Sequence, residues 1–148
     1  MLSNFSLLNC TLRNGSVGFW QVSPPGQFAD NFEIENNVFV NQNWQGIHVE
    51  NISNCSISDN NISSGNGLQA GIFTLNCSNI TGNRISGVGP APTTSISDSW
   101  AGITVIHNVP ITEPLVISNN VVMATNANGI YVDGASNLTL QGNQLSTS

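Results

Sequence analysis

The chain has 148 residues, a formal net charge of −6, no lysine, and only Arg13 and Arg84 as basic side chains. So few cations exclude nucleic acid and anionic membrane surfaces as partners, because both require Lys and Arg to displace counterions. No apolar run approaches the roughly 20 residues of a membrane span, and the length suits one domain, 1–148, around a single core.

Read from the N-terminus, one short pattern returns six times: Phe5–Leu12, Phe32–Phe39, Cys55–Ile62, Ser78–Ile85, Leu115–Val122 and Leu138–Leu145. Five copies carry asparagine at the same place, Asn37, Asn60, Asn83, Asn120 and Asn143, with Cys10 in the first. The intervals from Cys10 are 27, 23, 23, 37 and 23 residues, so the unit is 23 residues with insertions of 4 and 14. A fixed period of this size marks a repeat architecture. Between the copies runs a second pattern, a glycine before a short apolar stretch: Gly46–Val49, Gly71–Thr74, Gly102–Val105 and Gly129–Val132. Phe19–Val22 reads as a degraded version of it.

Apolar and polar residues alternate with period two, which predicts strands. In residues 46–63 the runs are Gly46–Glu50, Cys55–Ser58 and Asn61–Ser63. A unit of three short strands cannot bury its own apolar face, so neighbouring units must stack and share a core. The expected fold is all-β, a parallel β-helix of about six coils with three strands each. Stacking puts equivalent residues about 4.8 Å apart, where columns of like charge repel and columns of Asn hydrogen-bond along the axis. Asn also suits the bend between strands, since it tolerates the left-handed backbone conformation. Departures from the period predict loops at 23–31, 87–100 and 107–114, which are rich in Pro or Gly.

The odd number of cysteines, Cys10, Cys55 and Cys77, does not suggest a disulfide framework. They read as small buried thiols rather than a bridge or a metal site. With His48 and His107 alone, and no close Cys or His spacing, no metal and no cofactor are expected. The segment MLSNFSLLNC has neither a basic region nor a sustained apolar stretch, so no secretory signal is read there. Nine Asn-x-Ser/Thr sequons, Asn51, Asn61, Asn79 and Asn137 among them, are what an Asn- and Ser-rich chain produces by chance.

The alternation of Gly-Ile-x-Val, a polar loop, x-Ile-x-x-Asn-x-Ile and another polar loop resembles the right-handed parallel β-helix repeat of the pectate-lyase-like superfamily, over residues 5–147. The Asn- and Ser-rich, lysine-free, short-coiled form is most similar to bacteriophage tailspike and capsid-decoration members. That resemblance implies a structural virion protein, decorating the capsid as a cement protein or forming part of a tailspike. The alternative it implies is a domain that binds or depolymerises host surface polysaccharide.

In enzymes of that superfamily the site usually lies on the outer face of the Gly-Ile sheet. The outward column predicted here is Gln21, His48, Phe73, Thr104 and Tyr131, with Glu50 and Asp133 further along their strands. A glycoside hydrolase needs two carboxyls roughly 5–10 Å apart, and Glu50 and Asp133 are three coils, or about 14 Å, apart. Asp98 and Asp133 form the only pair of weak catalytic candidates. A lyase needs a base and cations to hold a uronate, and both arginines follow the Asn bend, away from this sheet. Glu33 and Glu35 share an outer face and read as a solvated acidic spot.

The aromatics carry more. Trp44 and Trp100 each stand two residues before a Gly-Ile pair, on one edge of the sheet near His48, Phe73 and Tyr131. Such a row serves a partner interface or a glycan. The expected assembly is a homotrimer with its β-helices side by side, because no capping helix covers the strand edges. Other virion proteins are further expected partners, host polysaccharide another, and the particle surface the expected location.

Overall fold

The computed structural model describes residues 3–90, 100–108, 114–124 and 126–147. The chain coils as a β-solenoid. The first turn consists of β1 (Ser3–Leu8), β2 (Thr11–Arg13) and β3 (Val17–Val22), and the second of β4 (Ala29–Glu35), β5 (Val38–Val40) and β6 (Gln45–Glu50). The third contains β7 (Ile52–Ser58), β8 (Asn61–Leu68) and β9 (Ala70–Leu75), the fourth β10 (Asn79–Thr81), β11 (Arg84–Val88) and β12 (Ala101–Ile106). After β13 (Leu115–Ser118), β14 (Val121–Ala124) and β15 (Asn128–Asp133), β16 (Leu138–Gln141) and β17 (Gln144–Thr147) begin a sixth turn. Every ladder is parallel, and the strands form three sheets of six, six and five strands, one strand from each turn per sheet. No helix occurs among the described residues, and so none long and apolar enough to cross a membrane.

Stacking turns each repeat position into a column. The first sheet points Leu7, Ile34, Ile57, Ile80, Ile117 and Leu140 inward in register. The second contributes Leu12, Phe39, Ile62, Ile85, Val122 and Leu145. The third adds Phe19, Ile47, Ile72, Ile103 and Ile130. The isoleucines of these columns from Ile34 to Ile117 are fully buried, each worth about 1.5–3 kcal/mol relative to an exposed side chain. At the last turn the same columns surface, with Leu140 54% and Leu145 53% exposed.

The glycine before each Ile has a steric cause. A Cβ on Gly46 would stand 2.6 Å from the Gly71 carbonyl oxygen and press into Ile62, and Gly71 is related in the same way to Gly102 and Ile85. The second sheet's side chains pass so close to the third sheet's backbone that only hydrogen fits there.

The Asn column is a continuous hydrogen-bond ladder. Asn60 Oδ1 accepts from both the backbone N–H and Nδ2 of Asn37, each at 3.0 Å, and Asn83 and Asn120 repeat this one turn on. Each Nδ2 also donates to a carbonyl of the turn before, as Asn60 does to Ile34 at 2.8 Å. Cys10 offers only its backbone N–H, which donates to Asn37 Oδ1 at 2.9 Å. The left-handed bend belongs to the residue before the ladder, contrary to the expectation. Asn9, Asn36, Asp59, Gly82, Asn119 and Gly142 have φ between 53° and 68°. The bend and the ladder are therefore neighbouring columns, the first chosen for backbone freedom and the second for its amide.

Two further expectations are corrected. Cys55 and Cys77 form a disulfide with Cα atoms 5.1 Å apart, closing 22 residues between successive turns, and Cys10 is the odd thiol. Asn79 pairs with Ser56, which brings Cys77 to the corner beside Cys55, close enough to bridge. The loop at 23–31 is shorter than expected, because Ala29 already begins β4 and is buried under Ile52's turn. Of the other two expected loops, 91–99 and 109–113 lie outside the described residues.

Candidate functional site

The outer surfaces of the three sheets differ in chemistry. On the first, the outward columns read Ser6, Glu33, Ser56 and Asn79, and Leu8, Glu35, Ser58 and Thr81. Hydroxyls, amides and acids dominate there. Arg13 and Arg84 stand on the outer face of the second sheet. The third sheet instead exposes aromatic and aliphatic side chains.

Its first outward column is Trp20, His48, Phe73, Thr104 and Tyr131. Trp20 therefore stands where Gln21 was expected, and Gln21 falls in the inward column with Val49 and Thr74. The repeat element in that turn is Gly18-Phe19-Trp20-Gln21, aligned on Gly18, rather than Phe19–Val22 aligned on Phe19. That glycine was the signal that would have placed Trp20.

The column is a stack of rings. Trp20 and His48 lie face to face with centroids 4.2 Å apart and planes 5° apart, and His48 stacks on Phe73 at 4.7 Å and 16°. His48 is 5% exposed, so the two rings cover the imidazole almost completely. Its edge is pinned as well. Nε2–H donates to Glu50 Oε1 at 2.7 Å, and Nδ1 lies 2.6 Å from Gln45 Oε1. The carboxylate accepts only, so the ring nitrogen facing it carries a proton.

Trp44 approaches from the turn into β6. Its ring is tilted 39° to that of Trp20 with centroids 5.6 Å apart, and Trp44 and Trp20 are 39% and 50% exposed. Trp100 keeps the predicted relation to Trp44: the Trp44 carbonyl accepts from Gln69 and Ala70, and the Gln69 carbonyl accepts from Ala101. Trp44 and Trp100 thus share an edge two turns apart, about 10 Å at the strand spacing. Tyr131 closes the column in β15, two turns beyond Phe73. What comes together is a platform of Trp20 and Trp44 on a support of buried His48 and half-buried Phe73, with Trp100 and Tyr131 further along the sheet.

The second outward column is Val22, Glu50, Leu75, Ile106 and Asp133. Glu50 and Asp133 are three turns apart, as the spacing predicted, and too far for paired carboxylate chemistry. Asp98 lies outside the described residues, so its pairing with Asp133 has no structural description. Among the described residues, no group of three or more His, Cys, Asp or Glu is placed to hold a metal ion.

Sequence reasoning missed Trp20, Gln45 and the pinning role of Glu50. It also missed a second amide ladder after the third sheet, where Asn76 Nδ2 donates to Asn51 at 3.1 Å and to Asn108 at 2.9 Å. Its signal was an asparagine directly after Glu50, Leu75 and His107.

Comparison with curated proteins returned no match, and comparison with solved structures returned none. The family model described as "Right handed beta helix region" matches residues 3–148, nearly the whole solenoid. The chain therefore belongs to the right-handed β-helix family.

Proposed function

We propose that the protein binds carbohydrate through the outer face of the third sheet, with Trp20 and Trp44 as the stacking platform. Membership of the right-handed β-helix family supports a carbohydrate-binding or pectate-lyase-like protein. The single observation that carries the binding reading is the rigid support beneath exposed rings: Trp20 is half exposed while His48, on which it lies, is 5% exposed and held at both nitrogens. A flat, preoriented ring offers a sugar's C–H face a surface at little entropic cost. Binding is favoured over cleavage because Glu50 and Asp133 stand three turns apart on the face.

Affinity electrophoresis through gels containing bacterial surface polysaccharides tests this. Retardation that is lost in a folded Trp20→Ala/Trp44→Ala variant supports the proposal. Free migration in every polysaccharide, or equal retardation of the variant, refutes it.

A second reading keeps the same face but gives it a protein partner. Val22, Leu75 and Ile106 add an aliphatic column that a sugar platform does not require, and Val22 is 40% exposed. In that reading three copies pack side by side as a structural virion component on a phage capsid or tail. Light scattering in native buffer decides it: a trimer mass supports the assembly, and a stable monomer refutes it.

A further inference from the structure

Resting on the carbohydrate-binding proposal, we infer that this face selects neutral glycans and rejects polyuronates, and that Glu50 sets the selection. The argument begins with Glu50 itself. One carboxylate oxygen, Oε1, is committed to His48 Nε2, while Oε2 takes no hydrogen bond from the described residues and the side chain keeps 27% of its surface open. Glu50 follows His48 by two residues on β6, so it sits on the same face, about 7 Å along the strand from the ring column. A pyranose ring lying on Trp20 reaches that oxygen with a hydroxyl. The free oxygen is an acceptor only, and sugar hydroxyls are the donors that match it.

The same geometry works against an acidic sugar. Neither outward column of the third sheet carries Lys or Arg, because both arginines stand on the second sheet. The His48 ring is covered by Trp20 and Phe73 and both its nitrogens are occupied. A uronate carboxylate on the platform therefore meets Glu50 with no opposing cation on the face. At about 6 Å from a carboxylate whose side chain is 27% exposed, like charges reduce affinity on the order of tenfold. The repulsion is screened by salt, whereas stacking and hydroxyl bonding respond little.

The test is a titration of intrinsic tryptophan fluorescence with three probes, cellohexaose, chitohexaose and hexagalacturonate, at 20 mM and 500 mM NaCl. The expected result at low salt is binding of at least one neutral probe about tenfold or more tighter than hexagalacturonate, with the gap shrinking at high salt. Glu50→Gln retains an oxygen for His48 and removes the charge. In that variant the preference falls to within about threefold, through weaker neutral binding and stronger uronate binding. Circular dichroism confirms that the variant is folded, and the salt series on the native protein stands whether or not it is. Uronate binding equal to or tighter than neutral binding, or a preference unchanged by both salt and Glu50→Gln, overturns the inference and leaves the carbohydrate proposal intact. No response to any of the three probes overturns the inference, while free migration in the polysaccharide gels overturns the carbohydrate proposal.

Discussion

Asn83 sits in the middle of the ladder, and its replacement by alanine measures what the ladder contributes. Its Oδ1 accepts from the backbone N–H and Nδ2 of Asn60, both at 3.0 Å. Its Nδ2 donates to Ile57 O at 2.9 Å, Thr81 O at 3.1 Å and Asn120 Oδ1 at 3.0 Å. Alanine keeps the bond from the backbone N–H of residue 83 to Asn120, and Asn60 Nδ2 retains Ile34. The Asn60 backbone N–H is left buried with no acceptor. Apart from that orphaned N–H, four contacts go, equivalent to about three bonds because Nδ2 carries two hydrogens; at about 1 kcal/mol each, plus roughly 1–3 kcal/mol for the orphaned group, the loss is about 5 kcal/mol. For a domain whose total stability lies at about 5–15 kcal/mol, that is a large fraction. Urea unfolding followed by circular dichroism reads it as a fall in midpoint at unchanged slope. A loss under about 1 kcal/mol would refute the view that the column is a coupled ladder, leaving Asn83 merely as a tolerated bend residue.

Asn83→Asp separates hydrogen bonding from shape. The new carboxylate oxygen replaces the donor and faces the oxygens of Ile57, Thr81 and Asn120, so the charged form is disfavoured and the folded-state pKa rises above the unfolded value of about 4. A raised folded pKa means stability is retained below the unfolded pKa and lost as pH rises through the folded one. The variant should therefore be closest to the native protein near pH 4 and weakest at pH 7. A deficit independent of pH would show that the amide hydrogens do not point where the ladder puts them.

Removing the Cys55–Cys77 bridge, by Ala at both positions or by reductant, should cost about 3 kcal/mol for its 22-residue loop, read as a midpoint shift between oxidised and reduced protein. Gly71→Ala should cost about 2 kcal/mol or more, since its Cβ meets the Gly102 carbonyl oxygen at 2.7 Å and Ile85 on the other side; thermal melting checks this. Ile57→Ala, a fully buried column position, should cost about 3 kcal/mol in the same urea assay. Trp20→Ala should weaken oligosaccharide binding about fivefold to tenfold, the value of one aromatic stacking contact, in a fluorescence titration that still reports through Trp44.

The fold was legible because a solenoid writes its contacts into the period. Ile34, Ile57 and Ile80 touch one another through a 23-residue step, so a spatial column is also a sequence column. The bend was less legible for a chemical reason. Asn, Asp and Gly all tolerate the left-handed conformation, so the column Asn9, Asn36, Asp59, Gly82, Asn119 and Gly142 varies in identity while doing one job. The ladder beside it needs an amide and stays Asn from Asn37 to Asn143, which drew the bend role onto the ladder residue as well. The disulfide was hidden similarly: Cys77 follows Cys55 by 22 residues, one short of the 23-residue period, and a one-residue offset reads as a mismatch in a periodic pattern.

The same offset decided how much of the site could be read. A register slip of one residue exchanges the two faces of a strand. Aligning the first turn on Phe19 instead of Gly18 sent Trp20 inward and Gln21 outward, the reverse of the structure. Without Trp20, His48 looks like an exposed polar residue among aromatics. With it, His48 becomes the buried middle of a three-ring stack, and Glu50 becomes both its anchor and the free acceptor at the platform's edge. The inner columns and the glycine column have little freedom, because each side chain there has a neighbour a strand spacing above and below. The outward face of the third sheet has no such obligation to aromatics. An exposed Trp pair supported by a pinned, nearly inaccessible imidazole is not required by stacking, and that surplus of order outside the core is the physical reason to place function there.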